Sequence, residues 1–255
     1  MEFLFINNFL LVGMAAFFAG MLNALAGGGT FLTLPSLIFI GVPPVAANAT
    51  SAAALLPGYL GAALGYRTIL KEINTIYLFK LLSLVTSASI LGAFLLVKTP
   101  NSIFLNLTPW LILIATTLFI LSPYITNQSN SSSYKKESMQ SLGVFLVGGY
   151  GGYFNGGLGI ALLSILSLNT STTLNQIIAL KSIMSFVLTL VSVIFFAINI
   201  IIKWPLALSM MLFSILGGYL GAKLTQKLSK ELTRKIIISI GILMTTSMFY
   251  ASLAI

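Results

Sequence analysis

The chain has 255 residues, of which 58% are hydrophobic and only 7% are charged, and its formal net charge is +9. Soluble domains carry about 25% charged residues, so a water-soluble fold of this length could not cover its surface with these side chains. The composition therefore excludes an ordinary soluble domain and predicts a protein whose solvent is largely lipid.

Several residue types that catalytic and metal sites need are missing. The sequence contains no Cys, His or Asp, and its acids are Glu2, Glu72, Glu137 and Glu231, outside the long apolar stretches. Without thiols or imidazoles there is no Cys-His or Ser-His unit and no ordinary transition-metal site. We therefore expect a protein that is not an enzyme and that holds no cofactor or metal.

Apolar stretches follow one another along almost the whole chain. A membrane-spanning helix needs ~20 apolar residues, and eight stretches reach that length; two more, at 31–40 and 160–168, are too short to cross alone as helices. The sequence predicts an all-α polytopic membrane protein with eight strong spans and two short broken or re-entrant helices, up to ten segments. The eight stretches are 3–26, 44–66, 75–97, 103–125, 141–158, 173–202, 204–224 and 234–254.

A polar stretch divides these segments into two similar halves. Residues 126–140 are rich in Ser, Asn and Lys and are predicted to be a linker loop between a first transmembrane repeat, 1–125, and a second, 141–255. Landmarks recur in the same order in both halves: an Asn with a Gly run, a short apolar piece, a long helix with a polar start, and Ser-Ile-Leu-Gly at 89–92 and 214–217. This ordered series predicts a duplication. The pentapeptide Gly-Tyr-Leu-Gly-Ala also occurs twice, at 58–62 and 218–222, but at non-equivalent places, and we attribute that match to chance.

The basic residues lie mostly in short connections, and their bias is opposite in the two halves. This is the pattern of an inverted repeat that obeys the positive-inside rule, and not that of a nucleic-acid surface. If the two short pieces count as membrane passes, most of the Lys and Arg residues lie on one side of the membrane, which we take as cytoplasmic. Lys98, Lys203 and both chain termini then lie on the other side.

Two glycine-rich breaks are the first candidate for a functional site. Gly27, Gly28 and Gly29 interrupt a helix near Asn23, and Gly156, Gly157 and Gly159 do so near Asn155. Broken helices at matching places in two halves indicate a transporter's binding site, because half-helix N–H groups attract anions. The alternatives are that these Gly serve only helix packing and that the two Asn only tie the broken backbone together.

The other candidates lie at the polar starts of the two long helices. Thr50 and Ser51 offer hydroxyls for an oxyanion, although as helix caps they would be equally ordinary. Lys181 is the one ionisable group well inside a long apolar run, and it would supply positive charge for an anion; the alternative is that it snorkels to the interface. The full predicted substrate site is Asn23, Gly27, Gly28, Gly29, Thr30, Asn48, Thr50, Ser51, Asn155, Gly156, Gly157, Gly159, Lys181 and Ser182.

These elements together resemble a known family of membrane permeases. The chain resembles the sulfite exporter TauE/SafE family. The resemblance lies in the Asn-Ala-Leu-Ala-Gly-Gly-Gly run at 23–29, Leu34-Pro35, the stretch from Pro43 to Ser51 and the repeat after the Ser-rich loop. The second half departs from the family pattern, because no Pro closely follows Gly159 and Lys181 stands opposite Thr50. The resemblance implies transport of sulfite, sulfonates or related organosulfur anions across the bacterial inner membrane.

The sequence therefore favours a secondary transporter that moves small sulfur-containing anions by alternating access. Its expected partners are a small anionic substrate, the lipid bilayer and a second copy of the chain as homo-oligomer, with no nucleic acid. Two alternatives stay open: a transporter of another small anion or metabolite, and a non-transporting membrane assembly partner, which the short loops disfavour.

Overall fold

A computed structural model describes residues 2–25, 27–126, 133–167, 172–225 and 230–253. Within these ranges the protein is helical throughout, and no strand occurs in them. The helices are α1 (Glu2–Leu25), α2 (Thr30–Phe39), α3 (Pro44–Gly65), α4 (Arg67–Glu72), α5 (Thr75–Lys98), α6 (Asn101–Thr126), α7 (Ser133–Tyr153), α8 (Leu158–Leu166), α9 (Leu174–Ile198), α10 (Trp204–Thr225) and α11 (Lys230–Leu253).

Each predicted apolar stretch coincides with a helix, and the two short pieces are the short helices α2 and α8. Two features differ from the prediction. Helix α7 begins at Ser133, so the second part of the predicted linker is helical, and residues 127–132 lie outside the described ranges. The six-residue helix α4 is additional, because a polar segment of that length has no apolar periodicity to reveal it.

The outer surface of the bundle is apolar, as a bilayer requires. In the described part of the chain, three helical segments are long and apolar enough to cross a membrane: Thr75–Lys98, Asn175–Ile198 and Trp204–Gly221. Large side chains such as Phe39 and Ile76 are about four-fifths exposed, an arrangement that lipid tolerates and water does not. The protein is an all-helical membrane protein, while the full count of eight spans stays a prediction.

The helices pack in a pattern that repeats between the two halves. Helix α1 lies along α10 and α5 lies along α7, α3 and α9 meet in the middle, and α6 packs against α11. Helix α3 also contacts α10, as α9 contacts α5. Each short helix, α2 or α8, packs on the long helices before and after it.

The two Ser-Ile-Leu-Gly motifs occupy matching places in this pattern. Gly217 lies directly on the backbone of Phe17, and Gly92 lies in the same way on the backbone of Gly149. A side chain at either glycine would overlap main-chain atoms of the facing helix, so glycine is what allows these helix pairs to approach so closely.

The two glycine-rich breaks meet in the interior. Gly27 has φ +89° and Gly157 has φ +72°, backbone conformations that glycine adopts without strain. A Cβ atom added to Gly27 would lie 2.9 Å from the Cα atom of Gly159, so the break between α1 and α2 touches the break between α7 and α8.

The first break satisfies much of its own backbone. The N–H of Gly29 donates to Oδ1 of Asn23 at 2.9 Å, the N–H of Gly27 donates to the carbonyl of Leu22 at 3.2 Å, and the N–H of Phe31 donates to the carbonyl of Gly28 at 3.0 Å. Buried amides without such partners would cost free energy comparable to a lost hydrogen bond. Asn23 therefore ties the break together, which is one of the two roles predicted for it.

The packing of α10 on α1 predicts that Gly217→Ala destabilises the protein. Overpacking costs about 1–3 kcal/mol when neighbours cannot move, and here the obstacle is the main chain of Phe17. Gly65→Ala is the matched control, since its Cβ would meet nothing within 4 Å. Thermal unfolding in detergent should show a lower Tm for Gly217→Ala alone; equal Tm values would contradict the close α1–α10 contact.

The break geometry predicts different tolerance at two adjacent glycines. Gly27→Ala should lose about 1–2 kcal/mol to left-handed strain and more to contact with Gly159. Gly28→Ala should be nearly silent, because its Cβ would sit 3.5 Å from the ring of Phe31, an ordinary contact distance. Detergent-solubilised yield and Tm measure the difference, and a Gly28→Ala variant as unstable as Gly27→Ala would refute the described break.

Candidate functional site

A cavity of about 440 Å³ lies where α1, α3, α9 and α10 converge. Helix α3 and the residue that follows it supply about half of the lining, α1 and α10 supply further small residues, and α9 supplies the one cation among the described lining residues. Its lining consists of Gly20, Asn23, Leu55, Pro57, Gly58, Tyr59, Gly61, Ala62, Tyr66, Lys181, Ser182, Ser214, Ile215, Gly218 and Tyr219. Small residues at the helix crossings leave the space that larger side chains would fill.

The polar part of the lining is small and carries one charge. Lys181 is the only charged residue among the described lining residues, and no carboxylate is present there to neutralise it. Asn23 faces Tyr59, whose buried hydroxyl makes no hydrogen bond of standard geometry. Ser182 donates to the carbonyl of Ile178 on its own helix at 2.8 Å. A cation in apolar walls without a carboxylate favours an anionic ligand.

The cavity lies near one end of the helix bundle. Ala62 and Tyr66 lie at the carboxyl end of α3, next to Arg67, and Lys181 lies in the second turn of α9. At the opposite end of α3, the hydroxyl of Thr50 accepts the backbone N–H of Lys203 at 3.0 Å, and the first turns of that helix are buried. The cavity is therefore on the Arg67 end, and none of the residues around Thr50 lines it.

Three predicted residues at the start of α3 are engaged in structural contacts. Besides accepting from Lys203, Thr50 donates to the carbonyl of Ala46 at 2.6 Å. The hydroxyl of Ser51 pairs with that of Thr33, and the amide of Asn48 donates to the carbonyl of Tyr153. These bonds join α3 to α2, to α7 and to the α9–α10 connection.

The predicted residues of the two breaks lie outside the cavity lining, apart from Asn23. Gly27, Gly28, Gly29 and Thr30 form the first break and the start of α2, where the N–H groups of Gly29, Phe31 and Leu32 already have protein acceptors. The second break comprises Gly156, Gly157 and Gly159, with Asn155 donating to the hydroxyl of Thr189 at 3.3 Å. Of the fourteen predicted residues, the structure brings Asn23, Lys181 and Ser182 together in the cavity.

The aromatic and glycine part of the lining was not predicted, although the sequence contains a signal for it. Both copies of Gly-Tyr-Leu-Gly-Ala contribute: Tyr59 and its flanking Gly58 and Gly61 from α3, and Gly218 with Tyr219 from α10. The match that we attributed to chance therefore brackets one cavity. Helix contacts, which periodicity does not give, are what bring the two copies together.

The helix bounds offer a second way to align α3 with α9. Lys181 is the eighth residue of α9, and the eighth residue of α3 is Ser51, next to Thr50. The same register pairs Tyr59, which faces Asn23, with Thr189, which bonds to Asn155. This pairing of contacts supports the eighth-residue alignment.

Known proteins with similar sequences are membrane transporters by name. The chain is 31% identical over 238 residues to a probable membrane transporter protein of Haemophilus influenzae, covering 92% of this chain and 91% of that protein. It is 27% identical over 146 residues to the probable membrane transporter protein ORF9 of a Sinorhizobium species, covering 57% of this chain and 56% of that protein.

No solved structure matches this chain. The family described as Sulfite exporter TauE/SafE matches residues 12–248, which is nearly the whole chain and includes all four helices around the cavity. The protein therefore belongs to the TauE/SafE sulfite exporter family of membrane transporters.

Proposed function

We propose that this protein is a secondary transporter, and not an enzyme, that moves small sulfur-containing anions such as sulfite or organosulfonates across the bacterial inner membrane. The observation that carries the proposal is Lys181, the single charge on the described lining of a cavity with no carboxylate. A lysine in a membrane-spanning helix is costly unless it serves a ligand or a partner. Its place on a cavity wall favours that role over snorkelling to the interface.

The shape of the cavity bears on the cargo. About 440 Å³ is within the usual range of ligand sites and larger than a bare sulfite ion needs. Leu55, Pro57 and Ile215 give part of the wall an apolar character. An organosulfonate, with its anionic group at Lys181 and its short carbon chain against these residues, matches the lining better than sulfite alone.

The proposed transport mechanism is alternating access between two inverted halves, 1–125 and 141–255. The matching contacts of Gly217 on Phe17 and of Gly92 on Gly149 support two equivalent bundles. Counting α2 and α8 as passes, although each is only nine or ten residues long, gives each half five passes and so inverts the second half relative to the first. Multi-pass insertion, with the Arg67 end in the cytoplasm, follows from the basic residues on that side.

A second candidate function is transport of another small anion or metabolite, since cavity and charge do not specify sulfur. A non-transporting assembly partner is disfavoured, because such a protein has no need of a cavity lined by an unneutralised cation.

Flux measurements test the proposed cargo. Proteoliposomes containing the purified protein should take up sulfoacetate or sulfite, and should exclude a neutral amino acid of similar size. Repeating the assay with an imposed pH gradient identifies proton coupling. Equal flux of the neutral compound, or no flux of any sulfur anion, would reject this cargo.

Replacing the cavity cation tests the site. Lys181→Ala should reduce sulfonate flux about 10- to 100-fold, because a hydrogen bond between a charged group and an anion typically contributes about 1.5–3 kcal/mol. Lys181→Arg should retain part of the flux, since the charge remains. Lys203→Ala is the matched control: an exposed lysine away from the cavity, whose contact with Thr50 uses only its backbone. Normal flux in a folded Lys181→Ala variant would remove this site.

A further inference from the structure

Three buried polar atoms lie on or against helix α9, between the Lys181 cavity and the Lys203 end of that helix. Three side-chain oxygens have no hydrogen-bond partner: Oδ1 of Asn155, Oγ of Ser185 and Oγ of Ser192. All three residues are buried, at most 3% exposed. Ser185 and Ser192 flank Thr189, the residue that Asn155 contacts, on one face of α9. Unsatisfied buried polar groups are costly and call for an explanation.

Each of these residues has a counterpart that lines the open cavity. Ser185 and Ser192 are the twelfth and nineteenth residues of α9, and the same positions of α3 are Leu55 and Ala62, both lining residues. Asn155 follows Gly152 by three residues, as the lining residue Asn23 follows Gly20. The orphaned atoms therefore lie where the second half would form a cavity of its own.

The contacts around that place are closed in this structure. Ala93 on α5 is fully buried, while its counterpart on α10, Gly218, is partly exposed and lines the open cavity. The rings of Phe94 and Phe195 meet edge to face at 6.5 Å where α5 crosses α9. The same framework is thus open on the Arg67 end and closed on the Lys203 end.

We propose that Asn155, Ser185 and Ser192 line a second anion passage, closed in this structure, which opens toward the Lys203 end when the Lys181 cavity closes. This inference rests on the proposed transport function and adds the residues of the opposite passage. An amide and two hydroxyls can donate hydrogen bonds to a sulfonate or sulfite oxygen without trapping it, because none of them is charged. Exposure to water would also satisfy the atoms that are unpartnered now, including Oδ1 of Asn155, which can only accept a hydrogen bond.

Single cysteines test the passage cleanly, because the chain contains no Cys. Ser192→Cys and Ala62→Cys are a matched pair, at the nineteenth position of α9 and of α3. Each variant is treated with a membrane-impermeant methanethiosulfonate from one side at a time, in membranes of known orientation. Met184→Cys, fully buried in the apolar core of the same helix α9, is the unreactive control.

We expect Ala62→Cys to react from the Arg67 side and Ser192→Cys to react from the Lys203 side. Reaction of Ser192→Cys should be at least about ten-fold faster than that of Met184→Cys, since an open state populated at a few per cent suffices. Ser185→Cys gives a second reading if Ser192→Cys folds poorly. Reaction of Ser192→Cys from the Arg67 side, or no reaction of either serine site in a variant that still transports, overturns the passage.

The two proposals fail separately. A protein that transports sulfur anions while both serine positions stay unreactive keeps its function and loses the second passage. Opposite-side labelling in a protein that moves no sulfur anion keeps the two passages and rejects the cargo.

Discussion

A peptide group without a hydrogen-bond partner costs several kcal/mol in hydrocarbon, and this constraint governs the centre of the molecule. Two helices are broken there, between α1 and α2 and between α7 and α8. The protein meets the constraint by letting the breaks touch at Gly27 and Gly159 and by giving the N–H of Gly29 a side-chain acceptor in Asn23. The same Asn23 also reaches the cavity, so the support of the broken backbone and the wall of the site share one residue.

Helix approach is the second element of the architecture. Hydrophobic attraction between helices is weak in lipid, so close packing of backbones replaces it. Gly92 and Gly217 provide this packing at equivalent crossings, whereas Gly61 meets no neighbour and instead opens the cavity. Glycine therefore has two opposite uses in this bundle, and only the three-dimensional neighbours distinguish them.

The elements were predictable from sequence, because long apolar runs and glycine or proline interruptions fix helices locally. Both short helices and both breaks were found in this way.

The site was only partly predictable. Lys181 stood out as a lone charge in an apolar run, but Tyr59 and Tyr219 resemble ordinary membrane residues until α3 and α10 are brought together. Hydroxyls near a helix start serve packing as readily as binding, and Thr50 and Ser51 bond to Lys203 and Thr33 here, so their part in substrate binding stays a prediction. Polar stretches were the least informative, as the helical start of α7 and helix α4 illustrate.

The eighth residue of α9 is Lys181, whereas the eighth residue of α3 is Ser51. The helix packing is similar in the two halves, but the charge at this position is not. Under the proposed alternating access, a site with one described cation offers its cargo unequal surroundings in the two end states. Half-saturation concentrations on the two faces of the membrane should then differ, and so should the speeds of loading and unloading. The final concentration ratio is unaffected, because the driving forces set it and the binding site does not. Under that mechanism the asymmetry sets a kinetically preferred direction.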